Sequence, residues 1–248
     1  MFGLELSFIW AGIIALAVLI YVILDGFDLG VGLLFPLTAA LCQGVALGAL
    51  VQGIEVEGRA YAGGWWDWLT PFSVLTGVAV VVGYALLGAT WLNMKLVGRI
   101  QEHMRGLIRP LGIATLVFMA LVSLWTPFQN DAYFGRWFAW PTVAFSVFVP
   151  VLVGLAALGL FRGISKGREV QPFLCALSLF LLGFIGIGIS FYPHIVPPGL
   201  TIAEAAAPDS SLAFTLVGTL ILLPMILGYT AYAYWVFRGK VDPDEGYH

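Results

Sequence analysis

The chain has 248 residues, of which 60% are hydrophobic and only 10% charged, against about 45–50% and about 25% in an ordinary soluble domain. With 11 Lys+Arg, 14 Asp+Glu and a mean hydropathy of +0.97, a water-soluble fold would lack polar surface, so the composition assigns an integral membrane protein. The net charge of −3 is small and unclustered, which excludes a nucleic-acid partner because no basic stripe is present to meet phosphates.

About 20 mostly apolar residues cross the hydrocarbon core as a helix, and seven stretches qualify. No alternating ten-residue pattern of the barrel kind appears. The expectation is therefore an all-α polytopic membrane protein, a bundle of about seven transmembrane helices forming one domain over 1–248. The first five residues carry no basic n-region, so no cleaved signal peptide is expected. The first span covers 7–24 and runs into a short turn holding Asp25 and Asp28. The second, 31–54, is interrupted by Pro36 and Thr38; it carries Cys42, read as a small packing residue, and Gln43, placed to hydrogen-bond across helices. Trp65, Trp66 and Trp68 precede the third span, 72–93, and read as interfacial anchors. A connection with Lys95, Arg99, His103 and Arg105 leads to the fourth span, 107–125, which opens near Arg109. Trp125, Trp137 and Trp140 flank the next connection, before the fifth span, 141–161. The sixth, 173–191, contains Cys175, again read as packing, and Gly183, Gly186 and Gly188, read as points of close helix approach. The seventh covers 212–237. Nine basic residues fall on the side of Lys95, Arg162, Arg168 and Lys240, and only Arg59 and Arg136 on the other. The positive-inside bias puts the N-terminus outside and the C-terminus in the cytoplasm.

Redox membrane proteins hold haem through His or Met on helices. His103 falls in a connection, His194 at an outer rim and His248 at the last position, while Met119 and Met225 read as core filling. The chain is expected to ligate no haem and no metal. Asp25 and Asp28, at i and i+3, would share a helix face. Two readings stand: a proton or cation path at membrane depth, or a solvated Asp-Gly turn. Tyr229, Tyr232, Tyr234 and Trp235 are weak candidates to edge a quinone or lipid pocket, with aromatic packing as the plainer alternative.

Several motifs carry a family resemblance. Phe8-Ile-Trp10 and Asp25-Gly-Phe-Asp-Leu-Gly-Val-Gly32 resemble the N-terminus of subunit II of cytochrome bd-type ubiquinol oxidases, including the cyanide-insensitive branch. In the same order follow Gly44-Val-Ala-Leu-Gly-Ala-Leu-Val-Gln-Gly53, Leu69-Thr-Pro-Phe-Ser-Val-Leu-Thr-Gly77, Gly88-Ala-Thr-Trp-Leu92, Phe191-Tyr-Pro-His-Ile-Val-Pro197 and the segment from Leu227 to Phe237. The resemblance implies a haem-free subunit of a bacterial inner-membrane terminal oxidase, with no catalytic residue of its own. It would pack on a haem-bearing subunit I that holds haem b and haem d, oxidises quinol and reduces oxygen. Subunit II would support haem assembly and proton delivery, and the complex leaves room for a small accessory subunit. The family has nine spans, and its second and third helices and part of its fourth have no counterpart here, which implies a junction near 34–41. A purely structural assembly subunit and a small-molecule or ion carrier are the alternatives, the latter lacking paired repeats and broken helices.

Overall fold

The computed structural model describes residues 6–25, 34–58, 60–140 and 142–240. The long helices are α1 (Leu6–Asp25), α2 (Leu34–Gln52), α3 (Pro71–Lys95), α4 (Gly98–Trp125), α6 (Thr142–Ser165), α7 (Val170–Phe191) and α9 (Asp209–Val236). Short helices α5 (Asp131–Phe138) and α8 (Ile202–Ala205) lie in connections, as do two antiparallel hairpins, β1 (Val56–Glu57) with β2 (Ala60–Tyr61) and β3 (His194–Val196) with β4 (Leu200–Thr201). The expected all-helical chain thus carries two small hairpins in its connections. Among the described residues α3, α4, α6, α7 and α9 are long and apolar enough to cross a membrane. The chain is a multi-pass membrane protein.

Helix α2 covers 34–41, the stretch where the resemblance implies a junction, and Pro36 falls in its first turn, where a missing N–H costs nothing. One boundary differs from expectation for a local reason. Helix α4 begins at Gly98 rather than 107, so His103 is helical instead of lying in a connection. The basic residues hid this start from a hydropathy reading, although Gln101, Arg105, Ile108 and Gly112 recur on one helical face.

Helix α3 is the spine of the bundle. Thr70 caps it in a reciprocal capping box: Ser73 N–H donates to Thr70 Oγ1 at 3.1 Å and Thr70 N–H to Ser73 Oγ at 2.9 Å, with Pro71 in the first turn. Its inward residues Tyr84, Leu86, Leu87 and Thr90 are buried beside Ile108 of α4, Leu160 of α6 and Leu179 of α7. Tyr84 stacks on Phe180 at 5.7 Å between ring centroids, and its hydroxyl donates to Gln43 Oε1 at 3.2 Å, the cross-helix bond expected of Gln43.

The closest helix approach is between α2 and α3. A Cβ on Gly48 would stand 2.6 Å from Ser73 Cα, and one on Gly44 2.7 Å from Gly77 Cα. Gly183 and Gly186, by contrast, meet neighbours only at 3.9 and 4.0 Å, and Gly188 meets none within 4 Å. The expected role of α7's glycines therefore belongs to α2, whose small residues let two backbones touch. Cys175 packs against Gly159 as expected, whereas Cys42 is exposed; it lies outside the α2–α3 contact that Gly44 and Gly48 define.

Helices α6 and α7 are joined by a tight turn. Gly167, at φ +67°, adopts the left-handed conformation that closes α6, with Gly167 N–H donating to Ile164 O and Arg168 N–H to Gly163 O. Helix α9 is attached chiefly at its ends. Trp10 Nε1 of α1 donates to Leu212 O at 2.8 Å near one end. At the other, Lys95 Nζ donates to Phe237 O at 2.8 Å, and Trp91 meets Tyr234 edge to face. None of its apolar central stretch is buried.

Candidate functional site

Polar side chains concentrate in two layers, one at each end of the bundle. At the end where α3 leads into α4, Asn93 is 1% exposed. Its Oδ1 accepts from Arg105 Nε at 3.3 Å and its backbone carbonyl from Gln101 Nε2 at 2.9 Å. Gln101 Nε2 also donates to Glu169 Oε1 at 2.8 Å, and Lys240 Nζ pairs with the same oxygen at 2.7 Å. Lys240 and Gln101 hold the Glu169 carboxyl below the ordinary carboxylate value by bonding its charged form, with Arg105 adding a weaker attraction. The layer ties α3, α4, the α6–α7 turn and the residues after α9 into one polar knot. It is a satisfied network, suited to fixing helix ends.

At the opposite end, Thr70 Oγ1 donates to Gln52 Oε1 at 2.5 Å while Gln52 Nε2 donates to Asp67 O at 3.1 Å. Gln52, Thr70, Phe72, Trp125 and Gln129 line a shallow cleft of 320 Å³. Beside it Tyr133, 1% exposed, donates to Val51 O at 2.9 Å, satisfying a carbonyl in the last turn of α2. Burial pushes the Tyr133 phenol up to about 12, against a smaller lowering by Arg136. Arg136 Nη1 donates to Ser190 O at 2.5 Å and its Nη2 lies 3.4 Å from His194 Nδ1; Trp137 Nε1 donates to Ser190 Oγ at 2.9 Å. Gln52 and Asn93 stand near the ends of the apolar runs 31–54 and 72–93, where their polarity is visible in the sequence. The roles of Tyr133, Gln101 and Glu169 are not visible there, because they rest on tertiary partners rather than on spacing.

Of the residues expected to carry function, Asp25 ends helix α1, so the helix extends one residue past the predicted 24. Asp28 lies outside the described residues. Tyr229, Tyr232 and Trp235 stand on open surface of α9, 74%, 62% and 60% exposed. Tyr232 and Trp235 rings lie 6.2 Å apart, and Arg238 sits 4.6 Å from the Trp235 ring centroid. The structure groups Tyr232 with Trp235 and Trp235 with Arg238, and none of the three aromatics lines the cleft at Gln52. Among the described residues no group of three His, Cys, Asp or Glu side chains could hold a metal ion.

The model of the cytochrome bd terminal oxidase subunit II family matches residues 36–237. The chain belongs to this family. It is 25% identical over 246 residues to cytochrome bd-I ubiquinol oxidase subunit 2 of Escherichia coli, covering 83% of this chain and 63% of that protein. It is 24% identical over 238 residues to probable cytochrome oxidase subunit 2 of Haemophilus influenzae (82% and 62%). To cytochrome bd ubiquinol oxidase subunit 2 of Bacillus subtilis it is 25% identical over 186 residues (72% and 53%). The chain thus spans less than two thirds of the length of these relatives. The family match takes in the α2–α3 glycine contact, the Thr70 cap and both polar layers apart from Lys240.

Proposed function

We propose that this chain is the haem-free second subunit of a quinol-oxidising, oxygen-reducing terminal oxidase of the bacterial inner membrane. The carrying observation is the subunit II family match across 36–237, together with relatives named as subunit 2 of ubiquinol oxidases. The donor set supports a haem-free role. His103 lies near the start of α4, His194 in β3 beyond the far end of α7, and Met225 is 64% exposed on α9. These residues do not fit an axial pair, and no step is assigned to a haem within this chain. Haem b and haem d belong, in this reading, to a subunit I partner, with quinol and oxygen as substrates of the complex and room for a small accessory subunit. The meeting of the α3–α4 turn, the α6–α7 turn and the end of α9 at one polar layer supports placing their basic residues in the cytoplasm, with the N-terminus outside.

Asp25 and Asp28 would serve proton delivery from that side. Withdrawn from water, a carboxyl favours its neutral form, and a like-charged neighbour adds to the effect. A purely structural assembly role is the second reading, favoured by the chain's short coverage of its relatives. The test is purification of the tagged full chain from native membranes. Co-purification of a haem-bearing partner with quinol-driven oxygen uptake supports the oxidase reading. Haem without uptake supports the assembly reading, and a stoichiometric haem spectrum from the chain free of any partner overturns the haem-free assignment.

A further inference from the structure

The corner where the α6–α7 turn meets α4 carries Arg105, Arg109, Lys166 and Arg168 against one carboxylate at the turn, Glu169. Lys166 and Arg168 flank Gly167, and Arg105 Nη1 of α4 comes within 3.8 Å of where a Gly167 Cβ would stand. Arg109 follows Arg105 by one helical turn on the same side of α4. Lys166 and Arg109 are both exposed. Glu169, the carboxylate at this turn, is occupied by Lys240 and Gln101, and the Lys240–Glu169 contact is the only ion pair among the described residues.

The depth of Arg109 adds a second constraint. From Arg109 to the interfacial Trp125 the helix rises about 24 Å at 1.5 Å per residue, less than the roughly 30 Å hydrocarbon core. Arg109 therefore sits at the edge of the hydrocarbon, where an unpaired cation is expensive. From it, at successive i+4 positions, run Ile113, Val117 and Leu121, which are 49%, 51% and 46% exposed. A small soluble anion would use the cations and leave this stripe idle; a lipid uses both.

We infer that this corner binds an anionic phospholipid, its phosphate held by Arg109 and Lys166 and an acyl chain lying along Ile113, Val117 and Leu121. The charge is focused by the fold rather than spread along the sequence, since Arg109 and Lys166 come from different helix ends.

The test is native mass spectrometry of the full chain in mixed micelles holding equal phosphatidylglycerol and phosphatidylcholine of identical acyl chains. The wild type retains phosphatidylglycerol over phosphatidylcholine, and Arg109→Gln with Lys166→Gln lowers that preference by about fivefold per cation removed. Arg238→Gln, which loses one cation at the same end but on α9, keeps the preference. A preference unchanged in the double variant, or lowered equally by Arg238→Gln, overturns the site, as does displacement of phosphatidylglycerol by inorganic phosphate. The wild type alone gives an independent check. Raising salt from 0.1 to 1 M shortens screening from about 10 to about 3 Å and abolishes the preference; persistence at high salt overturns the inference.

Discussion

The α2–α3 contact yields the sharpest prediction, Gly48→Ala. The new methyl would stand 2.6 Å from Ser73 Cα, 2.9 Å from Thr76 Oγ1 and 3.0 Å from Thr76 Cβ, where carbon pairs settle at about 3.5–4.0 Å. The nearest atom is backbone, so no side chain can swing away, and the helices must part by about 1 Å. A gap of that size forfeits a quarter to a half of each dispersion contact. Along α2 the buried residues Ala40, Val45, Ala49 and Val51 would make on the order of 100 such contacts at about 0.15 kcal/mol each, so the loss is about 4–8 kcal/mol. Alanine recovers about 1 kcal/mol of helix propensity, leaving a net destabilisation of about 3–7 kcal/mol. Gly154→Ala and Gly228→Ala, which meet nothing within 4 Å, gain the propensity alone. The measurement is reversible denaturation of the purified chain in mild detergent, followed by tryptophan fluorescence. Gly48→Ala as stable as Gly154→Ala would refute the reasoning, because it would mean that the two backbones are not in contact.

Other outcomes follow from the two polar layers and the acidic pair. Tyr133→Phe leaves Val51 O unpaired and costs about 1–2 kcal/mol, measured by the same denaturation. Because the Tyr133 phenol is raised to about 12 from 10.0, its contribution is fully present below about pH 10 and is lost as pH rises toward 12, and Tyr133→Phe flattens that alkaline loss. Glu169 has a lowered pKa in the folded chain, so its contribution is present above the ordinary carboxylate range and lost as pH falls through the folded value. Proteolysis at Arg238 and Lys240 should therefore rise on acidification in the wild type and be high at all pH values in Glu169→Gln. Asp25→Asn or Asp28→Asn should slow quinol-driven oxygen uptake per haem in the assembled complex with haem content unchanged; wild-type turnover in both single variants and the double returns the pair to a solvated turn.

The sequence announces what depends on runs of one character and conceals what depends on contacts. Hydropathy locates α3, α6, α7 and α9 within a few residues, because an apolar stretch of that length has one stable form in lipid. It misplaces the start of α4, where Arg99, Arg105 and Arg109 mask an amphipathic continuation whose inward face carries Gln101 and Ile108. Gly44 and Gly48 stand in a motif quoted for its family likeness, yet nothing in spacing distinguishes them from Gly183 and Gly186. Only the facing Ser73 and Gly77 do so. The capping box at Thr70 and Ser73 was not read, because its third-position partner is Ser rather than the Glu or Gln that mark such a start. Nor were Tyr133 and Glu169, because their partners lie 82 residues away at Val51 and 71 residues away at Lys240.

Helix α9 has a mechanical consequence. Its 28 residues make a rod about 42 Å long, pinned near each end, with none of its apolar central stretch buried. Such a rod bends most near its middle, and Pro224 lies there, removing one rung of its hydrogen-bond ladder. Lateral pressure from the surrounding medium therefore reaches the bundle through two end joints rather than along a packed seam. A load applied at the C-terminal end falls first on the Lys95 and Lys240 joint, and so on the last turn of α3, before it reaches the Trp10 joint at the other end.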